Sequence, residues 1–457
     1  MNKKIKSIIL LFIMVMVTVT LVSCKPKDTG EVQKIIEQAQ KMDRNELYAK
    51  AIEELDGKTM TAVGNSSRGK TAQEYFIAYL QGKKFDSATG TYVADAKIRE
   101  EFPQYKEDFN GKIDWTQPKN NRIFAQISSD VNSSKPLISM TLIQDGNQIK
   151  SKMLDTGYLL NYIPKEWGGD KATNGEPFAL QSLNKVFMYN NLGGKSIKNV
   201  WQFVAEGERP MFMGLDSEPV GKNFLYMLTN EKNSNIMKEA YDALTATEKT
   251  YFDKTIKEVE QDAKDLGLTH ANAKYSLAWI KLWVKQFNQQ TDDGPIMGEL
   301  AKSSSVGETG LIVYSKLRSI NETPEVSKNN VTVAAYQEGY VGIGGFMYKH
   351  YLQVLKTSPF PWTSVAFIHF MTTTQDGFSP WGKDIGGYAS DDKANQVHLY
   401  DGHEDRDKNK PILFPALNDR GYEWWSGDTA GKGRLVIEDP TYVASVSHIV
   451  GDWIDLL

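Results

Sequence analysis

The sequence predicts an α/β protein with a largely parallel sheet, divided into two domains. Two observations carry this. Short β-branched or apolar runs alternate with helical stripes from Lys58 onward, the pattern of strand–helix units whose strands lie side by side. The chain has 457 residues, more than one hydrophobic core usually supports. Its 40% hydrophobic and 24% charged residues are ordinary for a soluble globular protein. A net charge of −4 argues against a nucleic-acid partner, which needs a concentrated basic face.

The elements follow in chain order. From Glu31 to Leu55, Val32, Ile35, Ile36, Ala39, Met42, Leu47 and Ile52 follow a helical stripe, predicting a docked surface helix. "KTMTAV" is a β-branched run ending at Gly64, and "KTAQEYFIAYLQG" is a helix stopped by a glycine. "NNRIFAQISSD" and "PLISMTLI" predict strands, the second leading into a loop and helix over "QDGNQIKSKMLDTGYLL". "KVFMYN" and "RPMFMGLD" continue the strands, and "EPVGKNFLYMLTN" is another helix. Thr245 and Glu248 form a capping box for a helix that Gly267 ends. "YSLAWIKLWVKQF" predicts a Trp-rich amphipathic helix, "TGLIVYSK" and "VTVAAY" late strands, and "PWTSVAFIHFMTTTQDG" an apolar helix.

The chain opens "MNKKIKSIILLFIMVMVTVTLVSCK". Lysines, then an apolar run too short for a comfortable membrane span, then small residues describe a secretory signal. Leu21-Val22-Ser23-Cys24 resembles the bacterial lipobox, in which the peptide is cut before a cysteine that is then lipidated. Cys24 is the only cysteine, so no internal disulfide competes for it. Residues 1–23 are expected to be a signal peptide, and 24–56 a lipid-anchored tether and helix. The protein is expected outside the cytoplasm, held on a bacterial membrane by that lipid.

"GNSSRGKT", residues 64–71, matches the phosphate-loop pattern G-x-x-x-x-G-K-[ST]. "LISMTLIQD" even supplies a Walker-B-like run ending in Asp145. Compartment argues against a nucleotide, because an exported protein meets little ATP. The same features suit any small anion: backbone N–H groups at a helix start, the Ser66 and Ser67 hydroxyls, and the Arg68 guanidinium. A purely structural loop, with Ser66 or Ser67 capping the helix, is the competing reading.

Several segments, in order, resemble the type 2 substrate-binding proteins of ABC importers, in the branch that includes ferric-iron, polyamine, thiamine and sugar-phosphate binders. They are "MTAVGNSSRGKTAQEYF", "PLISMTLIQDGNQIKSKMLDTGYLLNYIP", "KVFMYNNLGGKSIKNVWQF" and "TSPFPWTSVAFIHFMTTTQDG", spread over about 57–390. The resemblance implies a two-lobe fold joined by crossing strands, with one ligand in the cleft and delivery to a membrane permease. It implies a first lobe of 57–180 plus 328–355, and a second of 181–327 plus 356–457.

On that frame the ligand-binding candidates are Asn65, Ser66, Ser67 and Arg68 in the first loop, and Asp145 at a strand end. Tyr189 and Asn190 lie at the crossing into the second lobe, with core and turn roles as their alternatives. Ser217 precedes a helix, as ligand donor or N-cap. Ser315, Tyr336 and Tyr340 lie where the resemblance places late cleft contacts. The ligand is expected to be a sugar, a sugar phosphate or another small anion, since ten Trp and 21 Tyr favour a sugar and the loop favours an anion. No cofactor and no resident metal are expected, and the protein is read as a monomer. No adjacent tyrosine pair, as in some ferric binders, occurs. The six histidines have no close zinc spacing, and "YDGHEDRDKNK" lacks the EF-hand pattern. Enzyme motifs such as G-x-S-x-G and H-E-x-x-H are absent, so a non-enzyme is expected. The alternatives are a secreted carbohydrate-active enzyme, kept open by "YEWWSGD", and a nucleotide-binding protein.

Overall fold

The computed structural model describes residues 30–118, 120–317, 330–381, 386–391 and 419–457. The signal segment, Cys24 and the acidic loop 400–410 lie outside the described residues. Two helices open the fold, α1 (Gly30–Ala39) and α2 (Arg44–Leu55). The single stripe expected over 31–55 is broken at Asp43, whose side chain caps α2 in a reciprocal capping box with Glu46.

Strand β1 (Thr59–Gly64) leads into α3 (Arg68–Leu80), and β2 (Lys112–Thr116) into α4 (Asn120–Val131). The strand expected at "NNRIFAQISSD" is therefore a helix. Ile123, Ile127 and Val131 repeat every four residues and are buried together, a 3.6-residue period that β-propensity obscured. Strand β3 (Ile138–Ile143) precedes a short helical segment over 146–154, and β4 (Ala179–Asn190) is buried along all 12 residues. Next come β5 (Met211–Met213), α5 (Pro219–Leu228), α6 (Glu231–Asp242) and α7 (Ala246–Glu258). The Thr245–Glu248 capping box starts α7 as the sequence predicts.

Helix α8 (Ala273–Gln286), β6 (Asn288–Gln290), α9 (Asp293–Leu300), β7 (Thr309–Val313) and β8 (Val331–Val333) follow. Then come β9 (Gly345–Leu355), α10 (Pro361–Thr373), β10 (Gly387–Ala389), β11 (Val436–Ile437) and α11 (Pro440–Asp455). The sheet runs β2-β1-β3-β9-β4-β7-β5-β6, with β8 and β10 paired to β4, and β11 to β9. Strands β1, β2 and β3 are mutually parallel, whereas β9 is antiparallel to both β3 and β4.

Strands β4 and β9 cross between two bodies, and alternate residues along each strand enter different cores. At one end of β9, Leu352 and Val354 pack with Met60, Phe76 and Met140 of the first lobe. At the other, Phe346 and Tyr348 pack with Phe187, Trp279 and Trp283 of the second. The boundary expected at 356 is corrected here: Val365, Phe367 and Phe370 of α10 lie in the first-lobe core with Tyr48 and Phe76. An apolar helix docks where a matching apolar surface exists, and α1, α2 and α3 supply it. Residues from 419 onward return to the second lobe through Trp425, Leu435, Val443 and Ile454.

Candidate functional site

Parallel strands β1 and β3 end on the same side of the first lobe, so the loops after them share one rim. The first is 65–67, and its glycine spacing has a packing origin. The Trp115 indole of β2 lies across it, with Nε1–H donating to the Ser66 carbonyl at 3.0 Å. A methyl group on Gly64 would come within 2.4 Å of that indole, and one on Gly69 within 2.1 Å. The amides of Asn65, Gly69 and Lys70 donate to the carbonyls of Leu142, Ser66 and Ser67, and that of Arg68 to Ser66 Oγ. The expected cradle of free N–H donors is thus largely spent inside the protein. Ser67 makes no side-chain cap, and Lys70 points outward. Side chains, chiefly Arg68 and the two serines, remain as the means of gripping a ligand here.

Arg68 is half-buried, its Nη1 directed at the Trp381 carbonyl at 3.5 Å. Its charge reaches the crossing strand: it lowers the pKa of His350 and opposes the rise at Tyr348. Burial pushes the Tyr348 hydroxyl well above its ordinary range, and Asp293, Glu218 and Glu438 add to that. Tyr348 itself is packed in the second-lobe core, so these groups act on it through their charge. His350 is held at both ring nitrogens, Nδ1 against Gln181 at 3.1 Å and Nε2 against Gln144.

The second-lobe wall comes from the ends of β5, β6 and β7. Glu218 begins α5 and is nearly buried, whereas its neighbour Ser217 is exposed, with Oγ donating to the Gly214 carbonyl at 3.0 Å. Lys185 of β4 forms an ion pair with Asp293 at the start of α9, at 2.8 and 3.0 Å. The register pairing Val313 with Lys185 brings the end of β7 to the same place, where Ser315 is buried just beyond.

The structure thus gathers Asn65, Ser66, Ser67 and Arg68 on one rim and Ser217 and Ser315 on the other. Asp145 takes a different part. Its carboxylate is buried and accepts bonds from Gln148 and, across the lobes, from Asn223 Nδ2 of α5 at 3.1 Å. Asn223 also donates to Glu438, so Asp145 belongs to an interlobe joint. Tyr189 is not brought to the site: it is buried in the second-lobe core. Nor is Asn190, whose amide is consumed by the carbonyls of Leu300 and Lys302. Tyr336 bonds Tyr314 at 2.9 Å and packs against Trp424 and Trp425, while the Tyr340 hydroxyl donates to the Ile343 carbonyl.

Sequence reasoning missed Gln144, Lys185, Glu218, Asp293, Tyr348 and His350. A signal for three of them was present, since "LNKVF" and "FMYKHYL" set polar groups inside apolar crossing strands.

Burial gives two of these groups opposite pH effects. His350 is pulled down to about 3 by burial and then by Arg68. Between that value and its ordinary 6.5 only the unfolded chain takes up the proton, so this term loses stability as pH falls. Glu438 is pushed up to about 7, chiefly by burial. Between its ordinary 4.5 and 7 only the folded chain keeps the proton, so this term gains stability as pH falls. Urea unfolding from about pH 7 down to about pH 5 should show His350→Gln gaining on the parent, and Glu438→Gln losing ground, each by at most about 1.4 kcal/mol per pH unit.

No protein-family model matches the chain, and no curated protein matches its sequence. Among solved structures, it is similar to the ferric binding protein from Campylobacter jejuni, at 10% identity and a TM-score of 0.50 over 86% of this chain and 99% of that one. It is also similar to an ABC transporter substrate-binding protein from Bradyrhizobium japonicum USDA 110, at 12% identity, TM-score 0.49 and coverage of 87% and 99%. A third is iron-bound HitA from Pseudomonas aeruginosa, at 11% identity, TM-score 0.46 and the same coverage. At such identity the Campylobacter likeness shows a shared two-lobe binding-protein fold.

Proposed function

We propose that this chain is an extracytoplasmic solute receptor that captures a small polar ligand and hands it to an ABC importer permease. The observation that carries the reading is the two-lobe fold joined by crossing strands β4 and β9, with a strand-end loop bearing Arg68 on the first lobe and Glu218 and the Lys185–Asp293 pair on the second. Lobes hinged on two crossing strands can close on a ligand and present a changed outline to a partner. The ligand is a sugar phosphate or another small anion, with Arg68, Ser66 and Ser67 on its charged end.

The Campylobacter neighbour is a ferric binding protein. Among the described residues no group of three or more His, Cys, Asp or Glu side chains converges on a metal position, and the rim instead offers a guanidinium and hydroxyls. A lipid on Cys24 would hold the receptor at the membrane; among the described residues no helix is long and apolar enough to cross one.

Thermal unfolding of the chain from residue 25 onward, against sugars, sugar phosphates, polyamines, ferric complexes and magnesium nucleotides, tests the reading. One solute should raise the midpoint, corresponding to about 2.7 kcal/mol at a hundredfold over its Kd. Arg68→Ala with Ser67→Ala should weaken that solute at least about tenfold, as loss of a charge-assisted hydrogen bond does. Unchanged affinity in the double variant, or a response to magnesium nucleotide alone, would overturn it.

A further inference from the structure

The tail from 419 onward, which the two-lobe pattern does not require, builds a second enclosure away from the cleft rims. A cavity of about 470 Å³ lies between the tail, the first-lobe loop at Thr173 and Glu176, and the start of α6 in the second lobe. Three charged side chains in its wall are almost wholly buried: Lys349 at 1%, Glu438 at 2% and Arg434 at 8% exposure.

The hydrogen bonds of these groups leave a specific remainder. The Glu438 carboxylate is occupied by Tyr351 Oη at 2.8 Å, Asn223 Nδ2 at 3.0 Å and the Lys349 amide at 3.3 Å. The Lys349 ammonium has three N–H groups and, among the described residues, one hydrogen-bond acceptor, the Thr173 carbonyl. Arg434 grips Glu239 through Nη1 and Nη2 at 2.9 and 2.7 Å, but its buried Nε–H has no partner among the described residues. Two buried cations therefore retain donors that meet no acceptor among the described residues, a costly arrangement unless something else satisfies them.

The backbone gives an independent sign. Arg434 has φ of +49° and is the one non-glycine with positive φ among the described residues. Such strain persists where surrounding structure over-determines it, and it clusters at ligand sites. The rest of the wall is sorted by chemistry. Met227, Ile236 and Ile437 are its apolar members, Glu176 is an exposed acid at the first-lobe side, and Asp428 is paired with Lys232 at 3.4 Å.

We propose that this cavity is a second ligand site that takes an apolar α-amino acid, separately from the solute in the cleft. The ligand's carboxylate accepts from Lys349 and Arg434, its ammonium faces Glu176, and its side chain lies on Met227, Ile236 and Ile437. Because Thr173 belongs to the first lobe and Arg434 to the second, the occupant ties the lobes together across the hinge.

The test is calorimetric titration of the full chain with L-leucine, with L-leucinamide (no carboxylate), with the 2-hydroxy acid of the same skeleton (no ammonium), and with inorganic phosphate. L-leucine should bind saturably, and each analogue and phosphate at least about tenfold more weakly, since each leaves charged groups unpaired. Lys349→Met and Arg434→Gly should each weaken L-leucine by a similar factor. Glycine accepts the positive φ, so Arg434→Gly preserves the backbone even where Lys349→Met fails to fold. Arg68→Ala, which disables the cleft, should leave L-leucine affinity unchanged. No saturable binding at millimolar L-leucine, equal binding of the analogues or phosphate, or loss in Arg68→Ala with retention in Arg434→Gly would overturn the proposal. Only the last of those results bears on the cleft, since it would place L-leucine there; the others leave the cleft solute untouched.

Discussion

Asp293→Ala is expected to destabilise the fold by about 3–5 kcal/mol in urea unfolding, because it strands a buried ammonium. The side chains of Lys185 and Asp293 are 4% and 9% exposed, so water cannot take the place of the lost carboxylate. The remaining contacts compensate little, since among the described residues the Lys185 ammonium otherwise hydrogen-bonds Met213 Sδ at 3.5 Å and has Asp292 as a more distant counter-charge. The same aspartate accepts from the Val313 amide at 3.3 Å, so the end of β7 should loosen with it. Removing both charges separates the causes. Lys185→Met with Asp293→Leu should recover most of the loss, because the cost lies in an unpaired charge more than in the missing attraction. A loss below about 1 kcal/mol in the single variant would mean that the pair behaves as a solvated one. Ligand binding should suffer even where the double variant is stable, because both charges stand in the second-lobe wall.

Trp115→Ala should cost about 3–5 kcal/mol, the range for removing a large aromatic from a core that cannot collapse around the gap. Trp115 is 5% exposed, covers Gly64 and Gly69, and meets Phe367 edge-on at 6.4 Å between ring centres. Its indole also holds the Ser66 carbonyl, so the variant should lose affinity for the cleft ligand beyond what instability explains, through a freed first loop. Titration well below the unfolding midpoint measures that part. Lys70→Ala is the contrasting control, since Lys70 is exposed and should alter neither stability nor affinity. A large effect of Lys70→Ala on ligand binding would restore the phosphate-loop meaning of "GNSSRGKT".

That loop illustrates how far a pattern in the chain can mislead. Two glycines at nucleotide-loop spacing arise here because an indole from a strand about fifty residues away allows no Cβ at either position. Nothing near Gly64 announces Trp115. In the same way, "NNRIFAQISSD" carries β-favouring residues, yet Ile123, Ile127 and Val131 commit it to a helix against β3. Asp145 was legible as a residue at a strand end, but its partner Asn223 lies on the other lobe. Tyr189 and Asn190 fell at the crossing strand as expected, and one residue step along β4 decides which face a side chain meets.

The alternation of apolar runs and helical stripes, the capping box at Thr245 and the order of the binding-protein segments were set by local chemistry. Turn residues, caps and hydrophobic period act over a few positions, so they were enough for the α/β class, while the two-lobe arrangement came from the resemblance of the ordered segments. Which polar groups meet was settled by the packed fold. Lys185 comes to Asp293, and Glu438 to Asp145 through Asn223, over separations of tens to hundreds of residues. Docking of α10 into the first lobe, and of the tail onto the second, was decided likewise. Such contacts depend on burial, which costs a charge several kcal/mol unless a partner arrives. That partner is chosen by the packed sheet, where spacing along the chain carries no information about distance across it.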